Sequence, residues 1–154
     1  MTATNHAVMG AIVCATLNNP IIGLPLAFMS HFVLDSLPHF GVHTIASPSS
    51  KQYQAVLKVD AFLTVSFIFI ITFAGYKVGF PVWLLPLGAI VGWLPDVMWY
   101  KHYKNDLRGE PKQWDFVRKV HKKIQHLEVS WGWFVEVIWF ISSVALLHCI
   151  LFLN

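Results

Sequence analysis

Along the chain, apolar residues are gathered into long runs broken by short polar punctuation, and they do not recur at amphipathic spacing. Such runs predict helices whose surroundings are hydrocarbon. Five apolar segments can be read, with helices expected at about 5–18, 20–37, 51–76, 81–101 and 128–153. The first, His6 to Leu17, would be about 18 Å long as a helix, short for a bilayer, so it reads as a half-span or as a span completed by its flanks. Asn18-Asn19-Pro20 turns the chain into the second segment. Pro38 stops that segment, because the residue before a proline is pushed out of the helical region. Ser47-Pro48-Ser49-Ser50 supplies cap chemistry for the third, and Gly75, Gly79 and Pro81 turn it into the fourth. A short amphipathic helix is expected at about 111–125. The expected fold is therefore all-α, one integral membrane domain over residues 1–154 with a bundle of four to five transmembrane helices.

Composition sharpens the solvent. Of the 154 residues 56% are hydrophobic and 12% charged, about half the charged fraction of a typical water-soluble domain. The placement of charge matters more than its sum. Lys101, Lys104, Arg108, Lys112, Arg118, Lys119, Lys122 and Lys123 all fall between Tyr100 and Ile124, which marks a cytoplasmic loop by the positive-inside bias. Crossing parity then puts the N-terminus in the cytoplasm of a multi-pass inner-membrane protein. Membrane lipids are the expected partners, nucleic acid is not, and a homo-oligomer is left open. Met1 to Asn5 holds no basic residue, so no cleaved signal peptide is expected. Cys14 and Cys149 read as buried free thiols, and His148 as a packed histidine far from the others.

The same parity gathers the polar residues of the apolar segments onto one face: His6, His31, Asp35, His39, Asp60, Asp96, His121, His126 and Glu136. Ionisable groups in lipid cost several kcal/mol unless paired, so each is a functional candidate. His31 and Asp35 are four apart and share a helix face, where imidazole and carboxylate can chelate one ion or orient one another. His43 and His102 read as interfacial and solvated. Trp93, Trp99, Trp131, Trp133, Tyr100 and Tyr103 gather at this face, as aromatic belts do at headgroup level.

These residues also resemble a family. Thr4-Asn5-His6, Leu94-Pro95-Asp96 and the histidine pair of His121-Lys122-Lys123-Ile124-Gln125-His126 are similar to motifs of the YdjM/YbcI-like membrane proteins, predicted metal-dependent hydrolases. The Arg, Gly and Ser of that family's downstream histidine motif are absent here. Ser30 to His39 resembles the Ser-His-Phe-x-Leu-Asp-x-x-Pro-His segment of small relatives. The resemblance implies a membrane-bound, metal-dependent hydrolytic activity.

No nucleophile elbow, catalytic-cysteine pattern, phosphate-binding loop or dinucleotide fingerprint occurs in the sequence, so metal-assisted hydrolysis best suits the residue types. The expected activity is hydrolysis of a phosphate ester, that of a lipid, at the cytoplasmic headgroup level. Candidate ligands are His6, His31, Asp35, His39, Asp96, His121 and His126, with zinc favoured and manganese or magnesium as alternatives. Asp60 and Glu136 are candidates for catalytic proton transfer or ligand orientation, and Lys122 and Lys123 for holding phosphate. The competing readings are a metal transport or sensing protein and a non-enzymatic membrane assembly subunit.

Overall fold

The computed structural model describes residues 1–124 and 127–153, with no statement made for the His43 side chain. Among the described residues the chain is helical: α1 (Ala3–Leu17), α2 (Pro20–Asp35), α3 (Lys51–Lys77), α4 (Leu84–Leu107), α5 (Phe116–Ile124) and α6 (Gly132–Phe152). Two residue pairs, β1 (His39–Phe40) and β2 (Glu128–Val129), form a minimal parallel bridge.

Local chemistry explains most boundaries. Asn18 takes the left-handed conformation that ends α1, at φ 44°, a region asparagine tolerates better than most residues. The Asn19 side chain then accepts the Ile21 N–H at 2.9 Å, and Pro20 occupies the first position of α2. Ser50 caps α3 by accepting the Tyr53 N–H at 3.1 Å.

Four boundaries differ from expectation. Residues 81–83 form a turn, with the Leu84 N–H on the Pro81 carbonyl at 2.9 Å, so α4 starts late. It also runs on to Leu107, because nothing breaks it before Gly109, whose φ of 71° suits glycine. The amphipathic helix starts at Phe116, not near Pro111, because Asp115 accepts the Arg118 N–H at 2.9 Å and acts as its cap. Glu128 and Val129 are drawn into the bridge with His39 and Phe40, so α6 begins only at Gly132.

The architecture centres on α1. Ala7, Val8, Ala11, Cys14 and Ala15 are all buried, and α2, α3, α4 and α6 pack around the helix. A helix that is apolar all round needs such enclosure. Small residues let α4 come close: a Cβ on Gly92 would lie 2.6 Å from the His6 carbonyl oxygen, and one on Gly88 would lie 2.6 Å from Cys14 Sγ. Gly88 and Gly92 sit four apart, the small-xxx-small spacing that brings helix backbones together in membranes.

Two helices, Lys51–Lys77 and Gly132–Phe152, are long and apolar enough to cross a membrane, and only 17% and 22% of their most apolar stretches are buried. Phe62, Phe69, Ile70 and Phe73 of α3, with Phe134, Ile138 and Ile141 of α6, all point outward. This apolar exterior exceeds what a water-soluble surface carries. Helices α1 and α2 are shorter, with 15 and 16 residues.

Candidate metal centre

The fold brings the start of α1, the end of α2 and the middle of α4 together, and α5 closes over them. His6 stands in the first turn of α1, His31 and Asp35 on adjacent turns at the end of α2, Asp96 in α4 just after Pro95, and His121 in α5. His6, His31 and Asp35 are fully buried and His121 is 1% exposed. Their reactive atoms face one another. His6 Nε2 lies 3.0 Å from Asp35 Oδ1. His31 Nε2 lies 2.9 Å from His121 Nε2, 3.3 Å from Asp35 Oδ2 and 3.7 Å from Asp96 Oδ1. His121 Nε2 is 3.6 Å from Asp35 Oδ2, and the His6 and His31 rings stack at 3.7 Å. The ligand atoms of His6, His31 and Asp96, and those of His31, Asp35 and His121, each lie within 4.8 Å of one another, and both groups could hold a metal ion.

Hydrogen bonding specifies what those atoms offer. His31 Nδ1 is 3.0 Å from the Gly92 carbonyl oxygen. A carbonyl only accepts, so Nδ1 carries the proton and, in the neutral ring, Nε2 presents its lone pair to the cluster. Burial pushes the His121 imidazole down to about 4, so that ring is neutral at pH 7. Asp35 Oδ1 takes the α-amino group of Met1, whereas Asp35 Oδ2, buried among these rings, accepts no hydrogen bond among the described residues. Electron-rich atoms this close are held apart by repulsion unless a proton or a cation lies between them. Ligand bonds of about 2.0–2.1 Å at tetrahedral angles give ligand–ligand edges of roughly 3.3 Å. The observed separations of 2.9 to 3.7 Å bracket that value, so the donor set fits a divalent ion.

Several residues singled out from sequence stand elsewhere. His39 does not join the cluster. Its Nδ1–H donates to the Leu37 carbonyl at 2.7 Å and its Nε2 lies 3.7 Å from Glu128 Oε1, because the β1–β2 bridge carries it away from the end of α2. Asp60 holds α1: its oxygens accept the Ala3 N–H at 2.7 Å, the Thr4 N–H at 3.1 Å and the Thr4 hydroxyl at 2.7 Å. Glu136 accepts the Thr2 N–H at 2.9 Å and the Phe40 N–H at 2.8 Å. Both carboxylates therefore satisfy backbone donors at the start of α1, which positions His6 without touching the cluster. Lys122 rests its ammonium 4.9 Å from the centre of the Trp114 ring, and Lys123 is exposed. His126 lies outside the described residues.

Other expectations are corrected. His102 is buried, not solvated, and bonds Asp115 at 2.6 Å. With the Arg118–Asp106 pair at 2.5 Å, it ties α5 to the end of α4. His148 is exposed and stacks on Phe152, and Cys149 is exposed as well. The Gly92 carbonyl, which sets the His31 tautomer, escaped the sequence reading; its one signal was a glycine one turn before Asp96. No protein-family model, curated protein or solved structure matches the chain.

Proposed function

We propose that this is a membrane-embedded, metal-dependent hydrolase acting on the phosphate ester of a lipid at the cytoplasmic headgroup level. The observation that carries this reading is the unsatisfied Asp35 Oδ2, surrounded by the Nε2 atoms of His31 and His121. The motif resemblance to the YdjM/YbcI-like proteins points the same way. Zinc is favoured by the predominance of imidazole donors. Such an ion supplies Lewis-acid polarisation and water activation at neutral pH. The protein's own part is positional. His31 would hold the ion together with Asp35 and His121 or with His6 and Asp96, while the Gly92 carbonyl fixes the His31 ring. Water adds to phosphorus, the P–O bond to the lipid alcohol breaks, and the proton from water ends on the departing oxygen.

The test compares phosphate release from a lipid extract by the wild type and by Asp35→Asn and His121→Ala. The expected result is turnover by wild type and a loss of at least about 100-fold in both variants. Full metal occupancy with no turnover on any phospholipid or prenyl phosphate would favour a binding or sensing role.

The arrangement in the membrane belongs to the same proposal: a bundle of four to five spans, with the Tyr100 to Gln125 region and the N-terminus cytoplasmic. Cysteines introduced at Lys112 and Gly79 are expected to react with impermeant reagents from opposite sides of the membrane. Labelling of both from one side would sink this topology.

A further inference from the structure

Beside the cluster lies a cavity of about 910 Å³ between the start of α3 and the second half of α4. That volume lies in the upper part of the ~300–1,000 Å³ typical of small-molecule sites. One end reaches Asp96, whose carboxylate belongs to the His6–His31–Asp96 group. Its apolar wall is made by Val56, Leu57 and Ala61 of α3 and by Trp93 and Val97 of α4. Lys58, Lys104 and Lys122, one each from α3, α4 and α5, also line it. The Asp60, Asp96 and Glu128 carboxylates line it as well, and Asp60 is engaged by the start of α1. The cavity thus has one end at the candidate metal ligand Asp96, three lysines that could meet a phosphate, and an apolar wall. On the same helix Val59, Phe62 and Leu63 face outward, an apolar approach beside the cavity.

We infer that this cavity holds the hydrocarbon chain of a phosphorylated lipid, with the phosphate at the Asp96 end and the chain along Leu57, Ala61 and Val97. The inference rests on the phosphate-ester reading above and adds where the substrate lies and what selects it. A soluble phosphate would meet the same donors but leave the apolar wall in water. A chain that covers the wall gains affinity with each methylene buried, and three or four of them are worth on the order of 100-fold.

The test uses the metal-loaded full chain in detergent and two non-hydrolysable probes, dodecylphosphonate and methylphosphonate. Dodecylphosphonate is expected to bind wild type at least about 100-fold more tightly than methylphosphonate. Ala61→Trp, which fills the cavity from α3, is expected to weaken dodecylphosphonate by 10-fold or more, as an order-of-magnitude estimate, while methylphosphonate binding and metal content stay unchanged. Val97→Trp fills the same space from α4 and serves if the first variant does not fold. Detergent partitioning of the probe is common to all three proteins, so differences among them report the cavity. Equal affinities for the two probes, or undiminished dodecylphosphonate binding in both variants, would overturn the inference. Chain-dependent binding without phosphate release from dodecyl phosphate would keep the cavity and remove the hydrolase. Phosphate release from phenyl phosphate with no effect of chain or variant would do the reverse.

Discussion

Zinc is expected to co-purify at about one ion per chain and to be lost from Asp35→Ala. Asp35 contacts His6, His31 and His121 together. Changing groups that merely orient ligands costs about 10–100-fold in metal affinity, so removing this carboxylate should cost more than about 100-fold. His102→Ala is the control, since it loosens α5 at a buried histidine outside the cluster. An ion present at about 100 times its dissociation constant adds about 2.7 kcal/mol of stability. Chelation should then lower the melting temperature by roughly 5–10 °C for a chain of this size. Elemental analysis and a thermal melt read both effects. A wild type free of metal in every preparation, or an Asp35→Ala variant with full occupancy, would remove the metal centre.

The second large effect is expected at the crossing of α1 and α4. In Gly92→Val the new Cβ would stand 2.6 Å from the His6 carbonyl oxygen and 3.1 Å from Gly10 Cα. Both neighbours are backbone, so no side chain can swing aside and the helices must separate. Overpacking of this kind costs about 1–3 kcal/mol. The site should fail with it, because Gly92 contacts the turn that carries His6 and supplies the acceptor for His31. Gly23→Ala is the contrast: its Cβ would meet Cys14 Sγ at 3.4 Å, ordinary contact, and it should leave stability and metal content near wild type. A Gly92→Val protein that melts with wild type and keeps its metal would show that the close crossing is dispensable.

What could be read from the sequence follows from how local each cause is. The cap at Ser50 and the turn at Asn18-Asn19-Pro20 were legible because their partners lie within three residues. The His31–Asp35 pairing was legible from helical spacing alone. Which helix neighbours which was not, because parity orders ends along the membrane normal and says nothing about lateral position; the glycines at 10, 88 and 92 decide that. Asp60 and Glu136 looked catalytic because each is a charge in an apolar segment. Their partners, the N–H groups of Thr2, Ala3, Thr4 and Phe40, are far away in sequence and carry no mark in it. The displacement of His39 and the late start of α6 share one cause, a bridge between residues 39–40 and 128–129 too short to leave a strand pattern. His102 misled for the opposite reason: it stands in a strongly basic stretch, and its partner Asp115 is one of that stretch's few acids.

The unequal lengths of the helices have a consequence of their own. Asp60, level with the start of α1, lies well inside α3, which rises roughly 14 Å from Lys51 to that point. Helix α4 continues roughly 16 Å beyond Asp96 to Leu107. The start of α3 and the end of α4 therefore project about two and a half to three helical turns beyond the level of the cluster, and α5, which carries His121, packs directly on it. If the site takes the proposed phosphate ester, a phosphate borne on a folded protein or a nucleic-acid duplex would have to pass these projecting ends and α5, and a phosphopeptide offered beside dodecyl phosphate tests whether it can. On the proposed reading a lipid would arrive from the side of the bundle instead, so that the projecting ends select by the direction of approach.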